Sequence, residues 1–232
     1  MDQPGDDALS AAAAAAAING DGWRLLLGAA HSSVAVTSMP AAVEVAAAAV
    51  RACGPDSGQL SLDLRPDRVE LVLGGDPAAD RLSRLNATLA ARISAAVRAL
   101  GLATRPGESG RGVQALEIAI DALDIPAVLP FWQAVLGYAC LTRPIAGGEE
   151  TVVVDPFGQA PTVWFQQLDT PRPQRNRVHF DLTLAEDEAD ARIASALAAG
   201  GRLVSAAHAR AFWVLADPEG NEVCICTWQD RD

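Results

Sequence analysis

The chain contains no lysine: all 18 of its basic residues are arginine, set against 29 acidic ones. With a net charge of -11 and those arginines scattered along the sequence, it lacks the concentrated positive patch that a nucleic-acid partner requires. Arginine-only usage beside abundant alanine reads as the trace of a GC-rich genome, not as a phosphate site. Cysteine is also scarce. Cys53, Cys140, Cys224 and Cys226 form no CxxC pair and no signal peptide precedes them, which argues against a zinc knuckle or a secreted disulfide framework and for a cytoplasmic address. Long apolar runs are missing too. Leu9 to Ile18 is mostly alanine, is too short to span a bilayer and follows no basic targeting segment, so no membrane partner is expected. A Ser nucleophile elbow, a Walker loop and a GxGxxG turn after a strand are all absent, and GESGRG has no following helix to cradle phosphate.

What is present is 232 residues, half of them hydrophobic, enough for two small domains with a core each. ATRPGESGRG gathers proline, glycine and charge with no apolar period, the composition of a linker. The expected organisation is a flexible N-terminus and start of a first helix over 1–20, a first domain over 21–104, a linker over 105–111 and a second domain over 112–230.

In the first domain, strands are expected near Trp23 to Ala29 and Ser33 to Ser38, then a helix from Pro40 to Cys53 with Ser38 as its N-cap. Leu60, Leu62 and Leu64, then Val69, Leu71 and Leu73, alternate with other residues about a Pro66-Asp67 turn, which predicts a hairpin. Leu82, Leu85, Leu89, Ile93, Val97 and Leu100 form the apolar stripe of a closing helix. These elements assemble most simply as an antiparallel sheet covered on one face by helices. His31 falls between the first two strands and reads as a turn residue, and His208, in SAAHARA, as a solvated loop residue.

The second domain runs strand, helix, three strands, twice. Val113 to Ile120, a helix over Pro126 to Leu136, and strands near Tyr138 to Arg143, Glu150 to Val154 and Thr162 to Leu168 make one unit. Arg177 to Leu184, a helix from Glu186 to Ala199 ended by Gly200-Gly201, and strands near Arg202 to Ser205, Ala211 to Ala216 and Glu222 to Trp228 make the other. Two such α+β units are expected to pair into one curved sheet, helices outside and the inner face free for a ligand.

LEIAIDALDIPAVLPFWQAVLGY, TVWFQQL, RVHFDLTL and WVLADPEGNEVCI, in that order, resemble the glyoxalase/bleomycin-resistance family of the vicinal-oxygen-chelate superfamily across nearly all of this half. The resemblance implies paired βαβββ modules, a small-molecule ligand, homodimerisation in many members, and a metal position served from four strands. The matching positions are Glu117, Gln166, His179 and Cys224. Strand alternation agrees, since Leu116, Ile118 and Ile120, then Val178, Phe180 and Leu182, then Val223 and Ile225 take the core face and leave these residues, with Trp164 and Cys226, on the other. A divalent zinc, nickel or iron ion there would polarise two adjacent substrate oxygens while Glu117 or His179 moved the proton, as in a lyase or isomerase. Cysteine stands where the family has a carboxylate and Gln166 is a weak neutral donor, so a metal-free, drug- or metabolite-sequestering cup is the competing expectation.

The first half is more distantly similar to pterin-4a-carbinolamine dehydratase, in the order of its elements, in Trp23 and in AAAAVRACGPDSGQLSLDLRPDRVELVL. Where that family carries its histidines this chain has Gly54-Pro55-Asp56-Ser57 and Gly74-Gly75-Asp76. That argues against dehydratase activity and leaves Asp56 or Asp76 as stand-in acid or base, with residual pterin binding as the corresponding expectation.

Overall fold

The structure is a computed structural model and describes residues 7–74, 81–108, 111–145, 148–172, 174 and 176–230. It divides into two compact units, Met1–Ala115 and Leu116–Asp232.

Three helices in the first unit, α1 (Ala11–Ile18), α2 (Met39–Cys53) and α3 (Arg84–Ala99), each begin at a serine whose hydroxyl accepts the backbone N–H three places on, Ser10, Ser38 and Ser83 respectively. They cover one face of an antiparallel sheet of β1 (Arg24–Leu26), β2 (Ala29–Ala35), β3 (Leu60–Leu64) and β4 (Arg68–Leu73), in the order β1-β2-β4-β3. Strand period puts Val34, Val69, Leu71 and Leu73 into the core beside Leu89, Ile93 and Val97. Leu85 and Leu100, expected on that stripe, are exposed. Two further corrections concern the first strands and the linker. His31 lies inside β2, because the turn tightens onto Leu27 and Gly28, both at positive φ, and lets the strand begin at Ala29. Gly107–Glu108 (β5) and Arg111–Gly112 (β6), in the segment read as a linker, pair as a short ladder that belongs to this unit.

Two copies of one βαβββ plan make up the second unit, an α+β fold. Module one has β7 (Glu117–Ala122), α4 (Ile125–Leu136), β8 (Ala139–Ile145), β9 (Gly148–Val154) and β10 (Thr162–Gln167), ordered β7-β10-β9-β8. Module two has β11 (Phe180–Thr183), α5 (Ala189–Ala198), β12 (Arg202–His208), β13 (Phe212–Ala216) and β14 (Glu222–Cys226), ordered β11-β14-β13-β12. In both, the first strand pairs parallel with the last and the rest run antiparallel. The expected single curved sheet is not what forms: each module keeps its own four-stranded sheet. They are joined through one apolar core in which α4 packs on α5 and Phe131, Trp132 and Val135 meet Ala196, Leu215 and Ile225.

The corresponding β9–β10 and β13–β14 turns repeat Asp-Pro-x-Gly, and each is folded by its aspartate. Asp155 accepts the backbone N–H of Phe157, Gln159 and Ala160, and these bonds hold its carboxyl below the ordinary 3.8 against the opposing effect of burial. Asp217, fully buried, accepts from Glu219 N and Asn221 N, and also takes the Trp132 indole N–H at 3.0 Å. Glu219 then accepts the backbone N–H groups of Leu123 and Asp124, at the start of α4, at 2.9 and 2.7 Å. DPEGN is therefore the fastener between the modules.

Candidate functional site

In module one, Glu117, Trp164, Glu150 and Arg143 share the sheet face away from the helix, as the strand registers require. Arg143 is buried, and its guanidinium meets Glu150 at 2.7 Å and Glu117 at 3.1 Å. Burial would lower its pKa, but the two carboxylates more than offset this and raise it. Glu117 stands on β7 and Arg143 on β8, three strand spacings or about 14 Å apart in a flat sheet, so their contact reports a sheet curled toward this face. Glu117 is thus held in an internal ion pair, its buried Oε1 approaching the guanidinium without a well-formed hydrogen bond. Gln166 is exposed and opposite Asp121, four residues or about 13 Å along the strand from the Glu117 row. Trp164 is half-buried between these rows.

In module two the equivalent face is open. His179 immediately precedes β11, Asp181 lies within it, and the register sets Asp181 opposite Cys224. The His179 Nε2 and Asp181 Oδ1 atoms are 3.4 Å apart, and one ligand atom each from His179, Asp181 and Cys224 lies within 4.8 Å of the others. Cys224 is buried while the other two are exposed. Burial, then a hydrogen bond to the Asp181 carboxylate, pushes its thiol up to about 12, so without a cation it is protonated. Cys226, two places on, is buried opposite Thr183 and is not a member of this group.

Of the four expected metal positions the structure brings His179 and Cys224 together. Glu117 is drawn off by Arg143, Gln166 lies at the far end of its strand pair, and Asp181 completes the cluster instead. Alternation through His179, Asp181 and Thr183 is the signal that would have found it. Imidazole, carboxylate and thiol make a donor set suited to zinc with an open position. Leu116 and Val178, expected in the core, are exposed because β7 and β11 begin after them. His208 is the last residue of β12, not a loop residue, and stacks on Phe212 at 4.9 Å.

A second concavity, of about 580 Å³, opens between the edge of β7, the connector following β10 and the DPEGN turn. In the first unit a cleft of about 690 Å³ lies against the sheet face that carries His31, Ser33 and Glu70. Burial lowers the His31 pKa. Asp56 is in the short 3-10 turn Gly54–Gln59, and Asp76 lies outside the described residues.

Residues 117–226 match the family described as a glyoxalase-like domain. The C-terminal half of the chain carries this glyoxalase-like domain, from the first residue of β7 to the last of β14. Its similar solved structures include a glyoxalase/bleomycin resistance protein/dioxygenase family enzyme from Burkholderia phytofirmans PsJN, 21% identical, covering 48% of this chain and 95% of that one at a TM-score of 0.37. The fosfomycin resistance protein FosX of Mesorhizobium loti is 9% identical, with coverages of 49% and 90% and a TM-score of 0.40. A glyoxalase/bleomycin resistance protein/dioxygenase from Alicyclobacillus acidocaldarius is 18% identical, with coverages of 50% and 92% and a TM-score of 0.37. No curated protein matches the chain. Among the described residues no helix is long and apolar enough to cross a membrane.

Proposed function

We propose that the glyoxalase-like domain binds a small molecule on the open face of module two, and that His179, Asp181 and Cys224 hold a divalent ion, zinc before nickel or iron, at its polar end. The observation that supports this is the mutual approach of three ligating atoms within 4.8 Å on a face that module one keeps closed. A bound ion would act there as a Lewis acid on substrate oxygens, the chemistry of a lyase or isomerase. The chain's own part is to hold and orient: Asp181, its Oδ1 3.4 Å from His179 Nε2, and Cys224 opposite it complete the ligand set, leaving a position open for substrate oxygens. Zinc titration followed by metal analysis tests the reading. Wild type should retain one equivalent through desalting, and His179→Ala and Asp181→Asn should each weaken binding about ten- to hundredfold. Wild-type protein that holds no zinc sinks it.

The state of Cys224 favours a second reading, a metal-free sequestering cup, since a thiol near 12 that donates to Asp181 satisfies that carboxylate with no cation. A thermal-shift screen separates the two: a sequestering protein gains stability from organic ligands and is indifferent to zinc and to chelator. Self-association belongs to either reading, because every residue of the edge strand β12 except Ser205 is exposed, Leu203 and Val204 included; sedimentation measures it. Residual pterin binding in the first half rests on the cleft beside His31 and predicts saturable binding of a reduced pterin.

A further inference from the structure

We infer that the cleft between the β7 edge and the DPEGN turn is a second binding site, separate from the His179 group, and that it takes a small monocarboxylate with a planar apolar body. At about 580 Å³ it is of the size that encloses a small organic molecule, about 300–1,000 Å³. None of His179, Asp181 or Cys224 lines it.

Its floor is apolar. Trp132 and Phe180 meet there edge to face, with ring centroids 5.9 Å apart at 82°, and Ile120, Leu123 and Leu168 extend the surface. A flat hydrocarbon ring is the natural complement of such a floor. The charges sit around it, and their pairing decides the class of ligand. Asp121 is paired with Arg172 at 3.5 Å. Glu219 spends both oxygens on the backbone N–H groups of Leu123 and Asp124. Glu222 has a contact of its own. Arg177 lines the same cleft and, among the described residues, has no hydrogen bond or ion pair. One guanidinium is therefore left over, and it matches one negative charge. Among the described lining residues, three carboxylates against two guanidiniums disfavour a dianion, while a planar carboxylate can engage the guanidinium through two parallel hydrogen bonds. Because the floor includes Trp132, whose indole is tied to Asp217 of the interlocking turn, occupancy should stiffen the junction of the two modules.

Calorimetric titration of the full chain with benzoate tests the assignment, with benzamide and benzylamine as uncharged and cationic isosteres. Benzoate should bind saturably at one per chain and benzamide at least about tenfold more weakly, the value of one charge-assisted contact. Arg177→Gln should bring benzoate down to the benzamide level, Arg177→Lys should recover part of the difference, and His179→Ala should leave benzoate affinity unchanged. The last result separates this site from the metal-binding reading, whose failure would not touch it. Absence of saturable benzoate binding, equal binding of the isosteres, or an unaltered affinity in folded Arg177→Gln overturns the proposal. If that variant does not melt cooperatively, the isosteres on wild type still decide. Loss of benzoate binding in His179→Ala would show one shared site and overturn the claim of two.

Discussion

The two modules of the C-terminal unit are built on one plan and differ most where their first strands begin. Module one has Glu117 there and module two has His179. In the first, a buried Arg143 on the opposite edge strand reaches Glu117 and Glu150, and the curled face is occupied by its own ions. In the second, the edge strand opposite is exposed except at Ser205, no arginine among the described residues is paired with His179 or Asp181, and both stand exposed beside Cys224. What separates a structural face from a candidate binding face is whether the protein supplies the counter-charge itself. A carboxylate already matched by a buried guanidinium has little left to offer a metal.

The sharpest way to break this comparison is to remove the counter-charge. Arg143→Ala should destabilise the unit by about 3–5 kcal/mol, since it strands two half-buried carboxylates, whereas His179→Ala on the open face should cost less than about 0.5 kcal/mol. Denaturant melts of the two variants, read side by side, check this. Equal costs would mean that Arg143 is not what closes module one. The duplicated turns give the next contrast. Asp217→Ala loses three amide partners and an indole and should cost about 3 kcal/mol, while Asp155→Ala, at the exposed turn, should cost about 1 kcal/mol by the same measurement.

Thiol chemistry distinguishes the modules more gently. At pH 8 iodoacetamide should modify exposed Cys140 of module one and spare buried Cys224 of module two, as mass spectrometry of the digested protein would show. Because the folded value of Cys224, about 12, lies above its ordinary 9.0, its contribution to stability is complete below pH 9 and is lost as pH rises toward 12. Zinc must displace that proton, so zinc affinity should rise with pH over the same window. The smallest effect concerns the other unit. The pKa of His31 is depressed by burial, so its contribution to stability is present above its ordinary 6.5 and fades as pH falls through the lowered value, which NMR titration of the imidazole would locate.

Local signals made most of the elements legible. Ser38 before Pro40, the alternation of Leu60–Leu64 with Arg68–Leu73 and the paired glycines after α5 each act within a few residues, and the helices and strands form where they indicate. Leu85, Leu116 and Val178 show the limit of this. Apolar periodicity marks which residues could be buried, but an element's end decides which are, and all three are exposed at or beyond the ends of their elements. The candidate site was half legible in the same way. Strand parity turned Glu117, His179 and Cys224 to the inner faces, but parity carries no information about the arginine that arrives from a strand 26 residues further on.

By itself the sequence determined the duplicated plan and the faces of the strands, because hydrophobic period and turn chemistry are written in neighbouring residues. Only the tertiary structure decided that Glu117 answers Arg143, that Cys224 meets the His179–Asp181 pair, and that the DPEGN turn grips α4. Each of these depends on which strands become neighbours and how far a sheet curls, and both are set by packing the two modules around one shared core.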